Sequence, residues 1–225
     1  VGAVNVAAVD PSAPFVEAVL KMLELVAAMR GAGVTALEAL DIGGGLGIRY
    51  RDEVPLDPAR LVAAVLPLAK ETGLTLVLEP GRFLVGSAGI LLTTVLSRKH
   101  SGGKDLVLVD AGMNDLVRPS HYMAYHDIVE LEAANRPESV VDIVGPVCET
   151  GDFLARDRML PGLMAGERLA VLGAGAYGFV MSSTYNGRPR PAEVLVDGGR
   201  WAVVRERETV ASLFAGESAE PRWQL

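Results

Sequence analysis

Four short segments of this 225-residue chain concentrate the residue types that can do chemistry. They are Asp41-Ile42-Gly43-Gly44-Gly45-Leu46-Gly47, Glu79-Pro80-Gly81-Arg82, Gly145-Pro146-Val147-Cys148-Glu149-Thr150-Gly151-Asp152 and Gly175-Ala176-Tyr177-Gly178. Three successive glycines let backbone N–H groups approach a bound group closely, a nest that suits phosphate. The same residues also suit a tight turn. Glu79 could pair with a protonated ring nitrogen, Gly81 and Arg82 could donate to phosphate, and Arg82 could clamp a carboxylate bidentately. The alternative is a Pro-Gly turn with solvated charges. Cys148 beside Glu149 sets an acid-capable thiol next to a carboxylate: a proton donor and a group that binds an amine. A lone cysteine also packs as a small apolar side chain.

Other chemistries fail on spacing. Gly173-x-Gly175-x-x-Gly178 follows a strand-like run and formally matches a dinucleotide fingerprint. That fingerprint must open a long helix, and Thr184-Tyr185-Asn186-Gly187-Arg188-Pro189-Arg190-Pro191 leaves no room for one. His100, His121 and His126 form no metal set, because a separation of five positions puts His121 and His126 on different faces of a helix. No nucleophile elbow, Walker loop or paired CxxC occurs.

The elements that must position these residues fall into two groups. Val4 to Val9 reads as a buried strand, Phe15 to Arg30 as a helix ended by Gly31 and Gly33, and Ala36 to Ile42 as a second strand. Asp57 reads as the N-cap of a helix with Pro58 at its first position, running to about Glu71. Leu74 to Leu78 is a third strand. Alternating apolar strands and helices indicate a parallel sheet covered by helices, with the glycine loop and Glu79 at the C-terminal strand ends where such folds build sites. From about Ala88 the runs shorten and become β-branched. Ile90 to Ser97, Asp105 to Asp110, Val140 to Val144, Arg168 to Leu172, Glu193 to Val196 and Trp201 to Arg205 predict an antiparallel β domain. Tyr122 to Glu132 predicts a short helix within it. The boundary falls near residue 85: residues 1–84 are α/β and residues 85–225 are all-β.

Half of the residues are hydrophobic, enough for a substantial core, and the longest apolar stretches are strand-sized. No membrane span or charged-then-apolar leader is read. A net charge of −7 without a basic run argues against nucleic acid. The single cysteine excludes an internal disulfide framework and suits a reduced, cytoplasmic setting.

Read together, the segments resemble the diaminopimelate decarboxylases, fold type III enzymes that use pyridoxal phosphate. The resemblance extends over almost the whole chain from Phe15. Its blocks are Asp41 to Ile48, Glu79 to Arg82, Asp110-Ala-Gly-Met-Asn-Asp-Leu-Val-Arg-Pro119, Gly145 to Phe153, Gly175-Ala-Tyr-Gly-Phe-Val-Met-Ser-Ser183 and Asn186 to Val194. Ornithine and arginine decarboxylases share the glycine loop and Glu-Pro-Gly-Arg but usually differ around the cysteine. The resemblance implies a (β/α)8 TIM-like barrel followed by a β domain, as in the alanine racemase-like fold. It also implies roles. Gly44, Gly45, Gly81 and Arg82 would hold the cofactor phosphate, and Glu79 would face the pyridine nitrogen. Arg82, Arg118 and Tyr122 would bind the substrate carboxylate that does not react. Glu149 would read the distal amino group, Cys148 would reprotonate the carbanion, and Tyr177 would touch cofactor and substrate. The implied reaction converts meso-diaminopimelate to L-lysine, in a homodimer whose sites receive Cys148 and Glu149 from across the interface.

The chain departs from that family in two places. The family's cofactor lysine lies on an early barrel strand, whereas the four lysines here are Lys21 and Lys70 in helices and Lys99 and Lys104 flanking a hairpin turn. The family's His-Ile-Gly-Ser type segment is replaced by Val4-Asn5-Val6-Ala7-Ala8. Three strands cannot close a barrel, so the expectation is the C-terminal portion of a longer decarboxylase. The competing expectation is a non-catalytic relative that kept the surface and lost the lysine.

Overall fold

A computed structural model describes residues 10–133, 135–220 and 223. It divides into two compact units, the first ending at Gly86 and the second beginning at Ser87. The expected strand Val4 to Val9 lies outside the described residues.

In the first unit, helix α1 (Ala13–Gly31) is followed by strand β1 (Ala39–Asp41), helix α2 (Pro58–Lys70), strand β2 (Thr75–Val77) and the short helix α3 (Gly81–Val85). Helix α2 starts where Asp57 accepts from the Ala59 N–H at 2.9 Å, with Pro58 supplying a preset φ and no orphan donor. Strands β1 and β2 pair in parallel, Leu40 opposite Leu76. Both are shorter than the apolar runs that contain them, because a lone pair of strands has ladder partners only over three residues. Val19, Leu61 and Val65 from the two helices pack with Leu46 and Leu56 into the core of this unit. A second cluster of Val26, Leu40, Ala69 and Leu74 continues it.

The second unit is built on a six-stranded sheet. Its strands are β3 (Leu91–Ser101), β4 (Lys104–Val109), β5 (Ile128–Glu130), β6 (Glu138–Val144), β7 (Phe153–Pro161) and β8 (Arg168–Val171), in the order β5-β8-β3-β4-β6-β7. Strand β3 pairs with β8 through Leu91 to Thr94 and with β4 through Val95 to Ser101. A separate hairpin joins β9 (Glu193–Asp197) to β10 (Arg200–Arg205). Helices α4 (Arg118–Tyr122) and α5 (Val210–Leu213) are short. The core is aliphatic: Val95, Val107, Val109, Leu116, Ile143, Leu154, Leu163 and Leu169 are all essentially excluded from water. Among the described residues no helix is long and apolar enough to cross a membrane.

Two expectations are corrected here. The stretch from Tyr122 to Glu132 is not a helix: α4 ends at Tyr122, Met123 adopts a left-handed conformation that stops it, and Ile128 to Glu130 form β5 against β8. The sheet is also not wholly antiparallel, since β4 runs parallel to β6 with Val107 opposite Ile143. A parallel pair needs a long crossover, and residues 110–137 supply it, carrying α4 and β5 on the way. Strand β7 was not foreseen. Its Arg156-Asp157-Arg158 centre breaks the apolar alternation, and Asp157 sits at positive φ where the β6 register shifts.

Ile143 is fully buried on β6, between β4 and β7. Ile143→Ala should lower the unfolding free energy by about 2–5 kcal/mol, read as a shifted urea midpoint at unchanged slope.

Candidate active site

The first unit places the glycine loop and the Glu79 segment side by side. Gly43 follows β1 and Glu79 follows β2, so both emerge from the C-terminal end of the parallel pair. The Glu79 N–H donates to the Gly43 carbonyl at 2.8 Å, and the Gly43 N–H donates to Asp41 Oδ1 at 2.8 Å. Gly44 is required by contact: a Cβ there would lie 2.5 Å from the Glu79 carbonyl oxygen. Gly43 and Gly45 have φ of 72° and 100°, left-handed values that L side chains rarely adopt. Gly81 opens α3 and donates its N–H to the Glu79 carbonyl at 2.8 Å, with Arg82 next in the helix. The glycines, Glu79, Gly81 and Arg82 are therefore neighbours on one face of this unit.

The second unit builds a loop around one buried carboxylate. Asp152 is 5 % exposed. Its Oδ1 accepts from the Met113 N–H at 2.6 Å and its Oδ2 from the Val147 N–H at 2.5 Å. The Gly145 N–H donates to the Asp152 carbonyl at 3.1 Å, closing the loop that holds Cys148 and Glu149. Position 145 admits only glycine, since a Cβ would lie 2.5 Å from both Asp152 carboxylate oxygens. Cys148 and Glu149 stand exposed on this anchored loop. Tyr185 makes a long contact to Glu149, its hydroxyl 3.4 Å from Oε2.

A second carboxylate extends the frame. Asp115 accepts from the Gly112 N–H at 2.9 Å and from Asn114 Nδ2 at 3.0 Å. Burial pushes its carboxyl above the usual range; hydrogen bonds and the Arg188 guanidinium oppose this, while the neighbouring Asp152 charge adds to it. Arg188 donates through Nε to Asn114 Oδ1 at 3.1 Å and through Nη2 to the Asp110 carbonyl at 2.6 Å. Asp110 in turn accepts from the Thr93 hydroxyl at 2.6 Å and the Thr94 N–H at 2.8 Å. Its carboxyl is held below the usual range by those donors, against its partial burial. Three sequence blocks, at residues 110–119, 145–153 and 183–188, are thereby tied into one frame.

Arg118 and Tyr122 lie one turn apart on α4 and share a face. Arg118 is 7 % exposed, and its Nη1 donates to His126 Nε2 at 2.9 Å; Tyr122 is 59 % exposed. Tyr177 sits in the left-handed region at φ 59°, a strained conformation for a bulky residue of the kind that recurs at functional sites. Gly175-Ala176-Tyr177-Gly178 leads only into a single 3₁₀ turn, Phe179–Met181, which rules out the dinucleotide helix.

None of the four lysines lies at the end of β1 or β2. Lys21 pairs with Glu17 on α1, Lys70 closes α2, Lys99 is within β3, and Lys104 is 2.8 Å from Asp142 and 3.2 Å from Asp157. Among the described residues no group of three His, Cys, Asp or Glu side chains could hold a metal ion. His121 and His126 do not share a helix, because His126 lies beyond the end of α4. Asp152, Asn114, Arg188 and Tyr185 were given no role from sequence, although Asp152 closes a chemistry-bearing segment and Asn114 and Arg188 lie in blocks that carry the resemblance; His126 was weighed there only as a metal ligand.

Residues 9–175 match the family described as pyridoxal-dependent decarboxylase, C-terminal sheet domain. The diaminopimelate decarboxylase of Pseudomonas aeruginosa is 51 % identical over 209 residues, covering 93 % of this chain and 50 % of that protein. The diaminopimelate decarboxylase of Aquifex aeolicus is 51 % identical over 199 residues, covering 87 % and 46 %. The crystal structure of diaminopimelate decarboxylase from Helicobacter pylori complexed with L-lysine matches at a TM-score of 0.85 and 36 % identity, over 91 % of this chain and 50 % of that one. The chain spans about half the length of the relatives it matches. With a family match that runs from the first unit through the sheet strands, the chain belongs to the pyridoxal-dependent decarboxylases.

Proposed function

We propose that this chain is the C-terminal portion of a diaminopimelate decarboxylase, with the first unit contributing the last strands of a (β/α)8 barrel and the second the β domain. The observation that carries this reading is the juxtaposition of the glycine loop and Glu79-Pro80-Gly81-Arg82 at the ends of paired parallel strands. The substrate is meso-diaminopimelate, supported by identities near 50 % to decarboxylases of that name. A cytoplasmic homodimer and a cofactor lysine from outside these 225 residues complete the reading.

The residues present fit pyridoxal phosphate at two of its ends. The Gly43–Gly45 turn is a cradle held open by contact, since a Cβ at Gly44 would strike the Glu79 carbonyl. Backbone N–H groups of Gly44 and Gly45, with Arg82, suit a phosphate, while the Gly81 N–H is already given to the Glu79 carbonyl. Glu79, exposed beside them, suits a protonated pyridine nitrogen. The bound cofactor supplies an electron sink for the pair left when carbon dioxide departs.

The chain's own residues do the rest. Glu79 would face the ring nitrogen, where a carboxylate favours the protonated form. Arg118 and Tyr122 would receive the carboxylate that does not react, and Glu149 would receive the distal ammonium. Holding both charges of the distal end uses binding energy away from the reacting carbon to fix its position. Tyr177 would touch cofactor and substrate. Cys148 delivers the thiol proton to the carbon that lost carbon dioxide. Its loop is anchored by Asp152, and Cys148 and Glu149 act in the site of a second copy of the chain.

The test is to assay the full-length protein for carbon dioxide and L-lysine from meso-diaminopimelate; no turnover with folded, cofactor-loaded protein would sink the reading and leave a non-catalytic relative. Cys148→Ala should lower kcat by about 10²–10⁴-fold with little change in KM. Glu149→Ala should instead raise KM by about 10- to 100-fold, the loss of one hydrogen bond to a charge. Mixing Glu79→Gln with Cys148→Ala protein, each nearly inactive, should restore about a quarter of wild-type activity if each site takes the two residues from different copies. No recovery on mixing would place both residues in one copy. Asp152→Asn turns one acceptor into a donor facing a backbone N–H, and should cost about 1–3 kcal/mol in chemical denaturation.

A further inference from the structure

The residue that the reaction as read so far leaves unused is His126. It is fully buried, four residues past the end of α4 and just before β5. Its Nε2 lies 2.9 Å from Arg118 Nη1, and its Nδ1 lies 2.8 Å from the Leu172 carbonyl beyond β8. A guanidinium can only donate, so Nε2 must be the acceptor. The one proton of a neutral imidazole is then on Nδ1, donated to Leu172. Both ring nitrogens are satisfied in one tautomer only, and that tautomer hands a lone pair to Arg118.

We propose that His126 is a positioning residue: as a neutral acceptor fixed by the Leu172 carbonyl, it aims the Arg118 guanidinium at the substrate's distal carboxylate. This rests on Arg118 being the carboxylate clamp. An arginine side chain has four rotatable torsions and loses much of its orientation without a partner. The geometry answers that need from three directions. Arg118 comes from α4, Leu172 follows β8, and Arg158 on β7 donates through Nη2 to the His126 backbone carbonyl at 2.7 Å. Arg158 itself stacks 3.5 Å over the Tyr125 ring and lies 3.8 Å from Asp127, whose Oδ1 also accepts from the Tyr125 hydroxyl at 3.3 Å.

The charges around the ring all favour the neutral form except one contact. Burial lowers the His126 pKa first, the Leu172 carbonyl opposes that, and the Arg118 and Arg158 charges lower it further. Protonation would remove the lone pair that Arg118 uses and set a third positive charge beside two guanidinium groups. Acid therefore releases the clamp. It also destabilises the fold: below the ordinary histidine value of 6.5 the unfolded chain takes up the proton before the folded one, so stability falls as pH drops from there toward the lowered folded pKa.

Three variants of the full-length enzyme test this. His126→Leu removes the acceptor and should raise KM for meso-diaminopimelate about 10-fold or more while kcat stays within about threefold. His126→Gln restores an acceptor, and should recover most of that affinity while removing two wild-type responses to acid: the extra loss of stability that begins below 6.5, and the rise in KM that sets in at the lowered pKa of the folded enzyme. Equal effects of Leu and Gln on KM, or a drop in kcat at unchanged KM, would overturn the positioning role. Where His126→Leu yields no folded enzyme, the Gln variant decides: loss of the acid limb in KM supports the proposal and its retention overturns it. Arg118→Lys separates the two layers of the argument. If it leaves KM unchanged, the clamp fails and the role of His126 with it. If it raises KM while His126→Leu does not, only the positioning role falls.

Discussion

A buried carboxylate must be surrounded by donors or lose its charge, and the β domain is arranged around that requirement at Asp152. Its two oxygens accept from the Met113 and Val147 N–H groups, and its own backbone carbonyl accepts from Gly145. The Met113 bond brings the crossover after β4 against the β6–β7 connection, and the other two close that connection on itself. Gly112 and Gly145 have no side chain because the carboxylate occupies the space a Cβ would take. An exposed Cys148 and Glu149 can be held in register only because the loop beneath them is not free to move.

A second carboxylate close by makes the arrangement more demanding. Asp115 and Asp152 repel, and Asp115 is pushed toward its protonated form by burial with that repulsion added. Arg188 offsets part of this with its charge while bonding Asn114 and the Asp110 carbonyl. One arginine from the segment after Tyr185 thus secures the start of the crossover that carries Arg118, Tyr122 and His126. Removing it would leave like charges and unpaired acceptors together, a cost that falls on the whole frame rather than on one contact. The first unit needs no such network. Its glycine loop and Glu79 meet through the register of two parallel strands and one backbone hydrogen bond.

Much of this was legible along the chain because the causes are local. Asp57 caps α2 and Pro58 opens it, as their chemistry requires. The β3–β4 hairpin turns where Gly102 and Gly103 adopt positive φ, with Lys99 and Lys104 flanking it. The segments that misled are those whose conformation is set from a distance. Tyr122 to Glu132 has helical spacing, yet Ile128 to Glu130 become a strand because β8, some forty residues on, offers a free edge. Strand β7 hides behind Arg156-Asp157-Arg158, whose charges are answered by residues elsewhere: Arg158 by His126 and Asp127, Asp157 by Lys104.

The sequence by itself determined the chemistry on offer. Glycines, a Glu-Pro-Gly-Arg turn and a Cys-Glu pair are recognisable without coordinates, because residue type and close spacing limit what they can bind. It also determined that no lysine follows β1 or β2, since all four are accounted for by position. Only the tertiary structure decided which polar residues act through others. In the sequence Asp152 looks like an ordinary loop residue and His126 like one more position of an expected helix. Their roles depend on burial and on partners 39 and 46 positions away, Met113 and Leu172. Burial is a property of the packed chain, and it turns a common carboxylate into an anchor and a common histidine into a neutral acceptor.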